Sequence, residues 1–527
     1  MSKAAEFKIV ALTEAERVAL LGRIRGLLSA GDYELIAGLI QGVTFLLRLL
    51  ETAKMSITRL RRLVFGAKTE TRANLLSRPG APPAPDPAAA KPKPKGHGRK
   101  GARAYPGALR IKVPHPVLAV GGLCLQCLKG KLYQLKPPAL LVYVTAQPLF
   151  QATLYELARL RCALCGAVFT APAPAVACQG KYAPNVGIML GLMRFGSGLP
   201  HYRMEKMQRD FGVPLPQSTQ WELMAESAKD LEPIGHELST VAAGGELLHN
   251  DDTPMRVQSL KKDKAASGSE RTGIFTTGVV AKVGDHQVAL FFTGGNHAGE
   301  NLDLLLQHRS PELGKPIQMC DALSRNRSKE FEVLLANCLP HGRRGFVDVA
   351  ENFPAECQQV LESLGEVFKN DAEAKKLNLP PQERLRLHAE QSGPVMQALH
   401  DWMKAQIDQR KVEPNSGLGE AIQYMLNHWE PLTLFLRVAG APLSNNLCER
   451  ALKMAILHRK NSLGYKTENG ARVGDLFMSL IHTCRLNALN PFDYLSALQR
   501  HAAAVKANPG QWLPWNYHQT LASLSAG

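Results

Sequence analysis

At 527 residues the chain is long enough for several domains, and a 45% hydrophobic share is enough to fill real cores. Its 63 Lys and Arg against 46 Asp and Glu leave a formal charge of +17, which favours a polyanionic partner, nucleic acid first. The apolar run from Leu35 to Leu50 is broken by Gln41 and Arg48, and the N-terminus carries no secretory pattern. The expectation is therefore a cytoplasmic protein with no membrane association.

Residues 1–75 are expected to be helical. Ile36, Leu39, Val43, Leu46, Leu50, Ala53, Ile57, Leu60 and Val64 alternate steps of three and four, the seam of a coiled coil that would make the protein a homo-oligomer. An amphipathic helix on a neighbouring core is the competing reading. Residues 76–112 change to Pro, Ala, Lys and Gly ("RPGAPPAPDPAAAKPKPKGHGRKGAR"), a basic linker that cannot build a core. Its Lys91, Lys93, Lys95, Arg99, Lys100 and Arg103 can neutralise phosphates without reading bases.

Four of the ten cysteines form two pairs, Cys124-Leu-Gln-Cys127 and Cys162-Ala-Leu-Cys165. Each pair can place two thiolates on one tetrahedral ion, so residues 113–176 are expected to form a ribbon around structural Zn2+. The other six cysteines read as reduced core or incidental thiols. Over 177–240, "LPHYRMEKMQRDFGVPLPQSTQWELMAESA" gives a helix ending near Phe211-Gly212, a turn, and a second helix that Ser218 could cap. That is a helix-turn-helix pattern, which ordinary helical hairpins share.

From Leu247 the period changes. "LLHNDDTPMRV", "TGIFTTGVVAK" and "HQVALFFTGG" read as three strands, followed by a helix over His297–His308 and the strand "KPIQMCDAL". Strand, strand, strand, helix, strand is the order of a ribonuclease-H-like α/β core, predicted for 241–350 and resumed over 439–490 after a helical insertion at 351–438. Residues 491–527 form a C-terminal segment. The whole is a multidomain α+β architecture. In such a core Asp251 or Asp252 on the first strand, Asp321 ending the fourth, and Glu449 on a later helix can converge on divalent ions. Two ions about 3.5–4 Å apart neutralise a scissile phosphate and activate both reacting oxygens, and hard Mg2+ or Mn2+ takes carboxylate oxygen. Glu449 lies in "LSNNLCERALKMAILHRKN", where helical spacing would align Asn445, Asn446, Glu449 and Lys453 on one face amid amides and cations. A solvated surface helix, a turn at Asp251-Asp252-Thr253-Pro254 and a helix cap at Asp321 are the bland alternatives.

"HNDDTP", "CLPHGRRGF", "SNNLCERALKMAILHRKN" and "GHGRKGARAYPG" resemble signature segments of the insertion sequence 66 family of bacterial DDE transposases. "RRLVFGAKTE" is similar to that family's N-terminal zipper region, and "RLNALNPFDYL" with "WLPWNY" to its closing segment. The resemblance implies that Asp251, Asp321 and Glu449 are the catalytic acids and the ligands of Mg2+ or Mn2+, with Asp252 a neighbour. It also implies phosphate contacts at Lys453, Arg459, Lys460 and Asn461, and an approach of His341 and Arg344 to DNA or the active site. A Cys338–His341 zinc pair competes with that role for His341. Ser444 stands where the family has an aspartate, and Ala322-Leu323-Ser324 where it has Gly-Tyr.

The expected function is a nucleoid-associated DNA transposase that binds double-stranded element ends and target and catalyses metal-dependent strand cleavage and transfer. Accessory proteins of the same element are implied by the resemblance alone. A catalytically decayed DNA-binding regulator and a structure-selective nuclease are the alternatives.

Overall fold

The computed structural model describes residues 14–42, 119–122, 131–132, 149–161, 165, 168–175, 180–266 and 272–526. The heptad positions from Val43 onward, the basic linker, Cys124, Cys127 and Cys162 lie outside the described residues. The chain divides into two compact units, one of residues 79–186 and 201–222, the other of 1–78, 187–200 and 223–527. No described helix is long and apolar enough to cross a membrane.

At the N-terminus, helix α1 (Glu14–Arg25) is followed by a helical run over residues 30–42. Leu39 of the seam is 67% exposed and Ile36 37%, so this stripe meets no core among the described residues.

In the smaller unit, β1 (Arg159–Arg161) pairs antiparallel with β2 (Val168–Thr170). The hairpin brackets the second cysteine pair, and Cys165 is exposed at its turn. Helix α2 (His201–Asp210) ends where Gly212 takes φ +74°, with the Val213 N–H reaching back to the Gln208 carbonyl. This left-handed close needs a residue without Cβ, which is why the helix stops there. Helix α3 (Gln217–Ala243) begins one residue before Ser218, so that serine lies in the first turn and is not the cap. Gln220 instead ties the segment together, its amide donating to the carbonyls of Leu215 and His201 and its oxygen facing His201 Nδ1 at 2.9 Å.

The larger unit is built on a five-stranded mixed sheet of β3 (Leu247–Pro254), β4 (Phe275–Val283), β5 (His286–Gly294), β6 (Ile317–Cys320) and β7 (Leu334–Asn337). Their spatial order is β5-β4-β3-β6-β7, antiparallel among the first three strands and parallel from β3 through β7. Helix α4 (Ala298–Leu306) lies between β5 and β6, but a further helix over Gln258–Ala266 separates β3 from β4, so the expected strand, strand, strand, helix, strand order is interrupted after its first strand. The apolar runs make β4 and β6 buried along most of their length, as strands covered on both faces must be. Beyond β7, α5 (Leu339–Val349), α6 (Pro354–Lys376), α7 (Gly393–Asp408) and α8 (Gly417–Asn427) pack through Phe346, Val360, Leu364, Met403, Ile422 and Met425. The helices α6 to α8 fill the stretch read as a helical insertion.

The chain then returns as α9 (Asn446–Ser462) and α10 (Glu468–Leu486). Helix α9 lies against β4 at Gly278, where an added Cβ would sit 3.0 Å from Leu452 and 3.4 Å from the Cys448 sulfur. Glycine there lets the helix approach closely enough for the Cys448 thiol to donate to the Gly278 carbonyl at 3.2 Å. Helix α10 runs along β5. Its Asp475, Ser479, Thr483 and Asn487, four residues apart, accept the backbone N–H groups of Thr293, Phe291, Ala289 and Gln287 at 2.7, 3.0, 3.0 and 3.2 Å. The match is geometric: four helical residues rise about 6.0 Å and two strand residues about 6.6 Å. Thr483 and Asn487 also donate to the carbonyls of Ala289 and Gln287.

Thr483→Val keeps the shape and leaves the buried Ala289 N–H and C=O without these partners. It should cost about 1–3 kcal/mol, read as a lower urea midpoint at unchanged m-value; an unchanged midpoint would show that the pairing contributes nothing net.

Candidate active site

Asp251 lies on β3, and Asp321 immediately follows Cys320, the last residue of β6. The parallel register pairs Leu247 with Ile317 and His249 with Met319, so two residues further on Asp251 stands beside Asp321. Equal register on adjacent strands puts both side chains on one face, at the strands' carboxyl ends. Asn326 joins them: its Nδ2 donates to Asp321 Oδ1 at 2.7 Å and to Asp251 Oδ1 at 3.1 Å. The backbone that carries this amide is held from behind, because the Asn326 main-chain carbonyl accepts from Asn250 Nδ2 and Gln318 Nε2, both at 2.7 Å. Asn250 and Gln318 are fully buried and linked to each other at 2.9 Å.

Burial is the largest influence on Asp251, pushing its carboxyl up to about 7, and the nearby charge of Asp321 pushes the same way. Asp252 and Glu449 add to that repulsion, while the Asp252 N–H, 2.8 Å from Asp251 Oδ1, opposes it. Glu449 is thus within electrostatic reach of Asp251. It also stands close to another pair: among the described residues, Cys338, His341 and Glu449 have ligand atoms all within 4.8 Å of one another.

Glu449 comes from the first turn of α9, and Asn445 sets where that helix begins. Asn445 has no exposed surface; its Nδ2 donates to the Asn250 carbonyl at 3.0 Å and its Oδ1 faces His249 Nδ1 at 3.0 Å. Since the amide nitrogen is already a donor, Oδ1 is the acceptor and His249 carries its proton on Nδ1. Burial depresses His249 to about 4, so the ring is neutral and the contact stays in place at neutral pH. Asn445 is therefore a buried tether to β3 and does not share the polar helical stripe that the spacing suggested. It also occupies the N-cap position next to Asn446, so Ser444 is not the cap.

Asp252 points away from this cluster. Its side chain is 1% exposed, with His297 Nδ1 at 2.9 Å from Oδ2 and the Arg325 guanidinium 3.8 Å from Oδ1. Of the expected phosphate contacts, Arg459 is engaged internally, donating to Thr253 Oγ1 and the Pro254 carbonyl, and Asn461 donates to the Gly198 carbonyl. Lys453, Lys460 and Arg344 are exposed, and His341 is half-buried 3.9 Å from Glu449. Asn326, Asn445, His297 and Arg325 were not identified by sequence reasoning as site residues. The nearness of Asn326 to Asp321 in the chain is the one signal that could have drawn attention to it.

Comparison with known proteins adds a family. Residues 184–473, more than half of the chain, match the model of the family described as Transposase IS66 family. The chain is similar to two uncharacterized proteins of Sinorhizobium fredii. One, y4hP, is 24% identical over 69% of this chain and 68% of its own length; the other, y4jD, is 26% identical over 68% and 71%.

Asp251 supplies a pH test. A carboxyl raised from 3.8 to about 7 on folding stabilises the fold below its unfolded value and loses that contribution as pH rises through 7. Without divalent ions, Asp251→Asn should melt close to wild type near pH 4. At pH 8 it should melt higher, each kcal/mol of relieved strain being worth roughly 2–4 °C in a domain of a few hundred residues. Equal melting curves at both pH values would show that Asp251 is not under this strain.

Proposed function

Because this chain belongs to the IS66 family of transposases, we propose that it is a DDE-type enzyme that binds the double-stranded ends of an insertion sequence and cuts and transfers DNA strands with Asp251, Asp321 and Glu449. The observation that carries this reading is Asp251 beside Asp321 under the Asn326 amide, with α9 tethered to β3 so that Glu449 reaches the same end of the sheet. A sheet ordered β5-β4-β3-β6-β7, three strands antiparallel and the rest parallel, supports a ribonuclease-H-like core.

The donor set fits hard divalent ions. Asp251 is held partly protonated by burial and by neighbouring negative charge, the penalty that Mg2+ or Mn2+ would relieve. When bound, such ions polarise the scissile phosphate and activate an attacking water or 3′-hydroxyl. The chain's own contribution is placement. Asp251 and Asp321 present the oxygens not held by Asn326, and the Asn445 tether fixes the start of the helix from which Glu449 projects. The exposed Lys453, Lys460 and Arg344 receive backbone phosphates, His341 stands beside Glu449, and Arg459 and Asn461 hold α9 in place while facing the same DNA. Net charge of +17 suits this partner.

Recognition of the ends falls to α2 and α3 as a helix-turn-helix and to a zinc ribbon of Cys124, Cys127, Cys162 and Cys165. The short β1–β2 hairpin around the second cysteine pair supports the ribbon. The N-terminal stripe through Ile36 and Leu39 brings copies together, and accessory proteins of the same element complete the assembly.

The test uses purified protein, labelled element ends, Mg2+ or Mn2+ and any accessory proteins of the element. Wild type should nick the ends and join them to target. Asp251→Ala, Asp321→Ala and Glu449→Ala should each lower joining about a thousandfold or more, ~4 kcal/mol of transition-state stabilisation, with end binding kept. End binding without cutting would replace this reading by a DNA-binding regulator, and cutting without joining by a nuclease.

A further inference from the structure

Glu449 has two sets of neighbours, and the second is not built from oxygen. Cys338 caps α5, and His341 lies one turn into that helix, so both face the start of α9. Cys338 has no exposed surface, and the backbone N–H groups of Asn445, at 3.3 Å, and of His341 are directed at its sulfur. Burial pushes the Cys338 thiol up to about 11, and these N–H···S bonds oppose that only in part, so the sulfur would ionise there only against a bound cation. The His341 Nδ1 atom is buried and has no hydrogen-bond partner, an unmet demand that a ligand could meet. It lies 3.9 Å from Glu449 Oε1, and all three ligand atoms fall within 4.8 Å of one another. Small side-chain rotations would bring them to the roughly 2.0–2.3 Å ligand distances of a tetrahedral ion.

We propose that Cys338, His341 and Glu449 form a binding site for Zn2+ or a similar borderline-soft ion, and that filling it draws Glu449 away from Asp251 and Asp321 and switches the enzyme off. The effect on catalysis rests on the function proposed above; the metal site does not. Sulfur and imidazole select against Mg2+ and Mn2+, so the two ion classes compete for one carboxylate without competing for one site. The bound thiol is deprotonated, its proton passing to solvent, and no electron transfer is involved. Three protein ligands leave a fourth position for water.

The experiment titrates Co2+ into full-length wild type, Cys338→Ser and Asp251→Asn, each loaded first with one equivalent of Zn2+ for the ribbon, and follows the near-ultraviolet thiolate-to-cobalt band. Wild type and Asp251→Asn should bind one more equivalent with that band; Cys338→Ser should lack it while its circular dichroism and melting match wild type. In the joining assay, Zn2+ should inhibit wild type and require at least about tenfold more to inhibit Cys338→Ser, whose Mg2+-dependent joining persists. Should Cys338→Ser misfold, Cys338→Ala is measured in its place. An unchanged band in the variants of Cys338 would overturn the site. Equal inhibition of wild type and variant would overturn the switch. If wild type joins no DNA at all, the proposed function fails while the cobalt result still decides the site.

Discussion

Two carboxylates beside each other in a half-dry pocket repel, by about 3 kcal/mol at ~5 Å and an effective dielectric of ~20. The larger unit is arranged around that repulsion. Adjacent parallel strands fix the backbones at Asp251 and Asp321, so the side chains cannot retreat. The Asn326 amide and the Asp252 N–H give the two Oδ1 atoms donors, and the buried Asn250–Gln318 pair anchors the Asn326 backbone behind them. What these neutral groups cannot cancel appears as the raised Asp251 carboxyl. The pocket is consequently a receptor for positive charge before any substrate arrives.

The same logic explains why α9 begins where it does. Its first turn delivers a third acid to a crowded region, and a carboxylate left to choose its own position would move outward to water. Asn445 limits how far its backbone can follow by bonding to β3, almost 200 residues earlier in the chain, through contacts that a neutral His249 preserves. Further along, Arg459 and Asn461 hold the helix to Thr253, Pro254 and Gly198, leaving Lys453 and Lys460 on the solvent side. One helix thus combines a buried tether, an acid near the Asp251–Asp321 pair and an exposed cationic face.

Much of this was legible in the chain. Alternation located the strands, and the acids at strand ends followed from it; the parallel register then puts Asp251 and Asp321 level. The reading of Asn445 went astray because a helical wheel assumes helical dihedrals, whereas this residue has φ −90° and ψ 13° and lies just outside the helix. Asn326 carried almost no signal, since what fixes it is a carbonyl contact with Asn250, 76 positions away. The polar quartet of α10 is visible as a four-residue period in an otherwise apolar helix, yet nothing in it names the strand it serves.

That quartet has a consequence for how copies of the protein can meet. A sheet grows by offering free backbone groups to another strand, and an outer strand of nine residues such as β5 would be an inviting template. Here hydroxyl, amide and carboxylate groups take the place of a sixth strand, so a neighbouring chain would have to displace six bonds to the backbone of β5. The opposite border, β7, has only four residues. Sheet extension from the β5 border is thereby opposed, and a crowded or partly unfolded population is protected from the edge-to-edge association that open sheets invite.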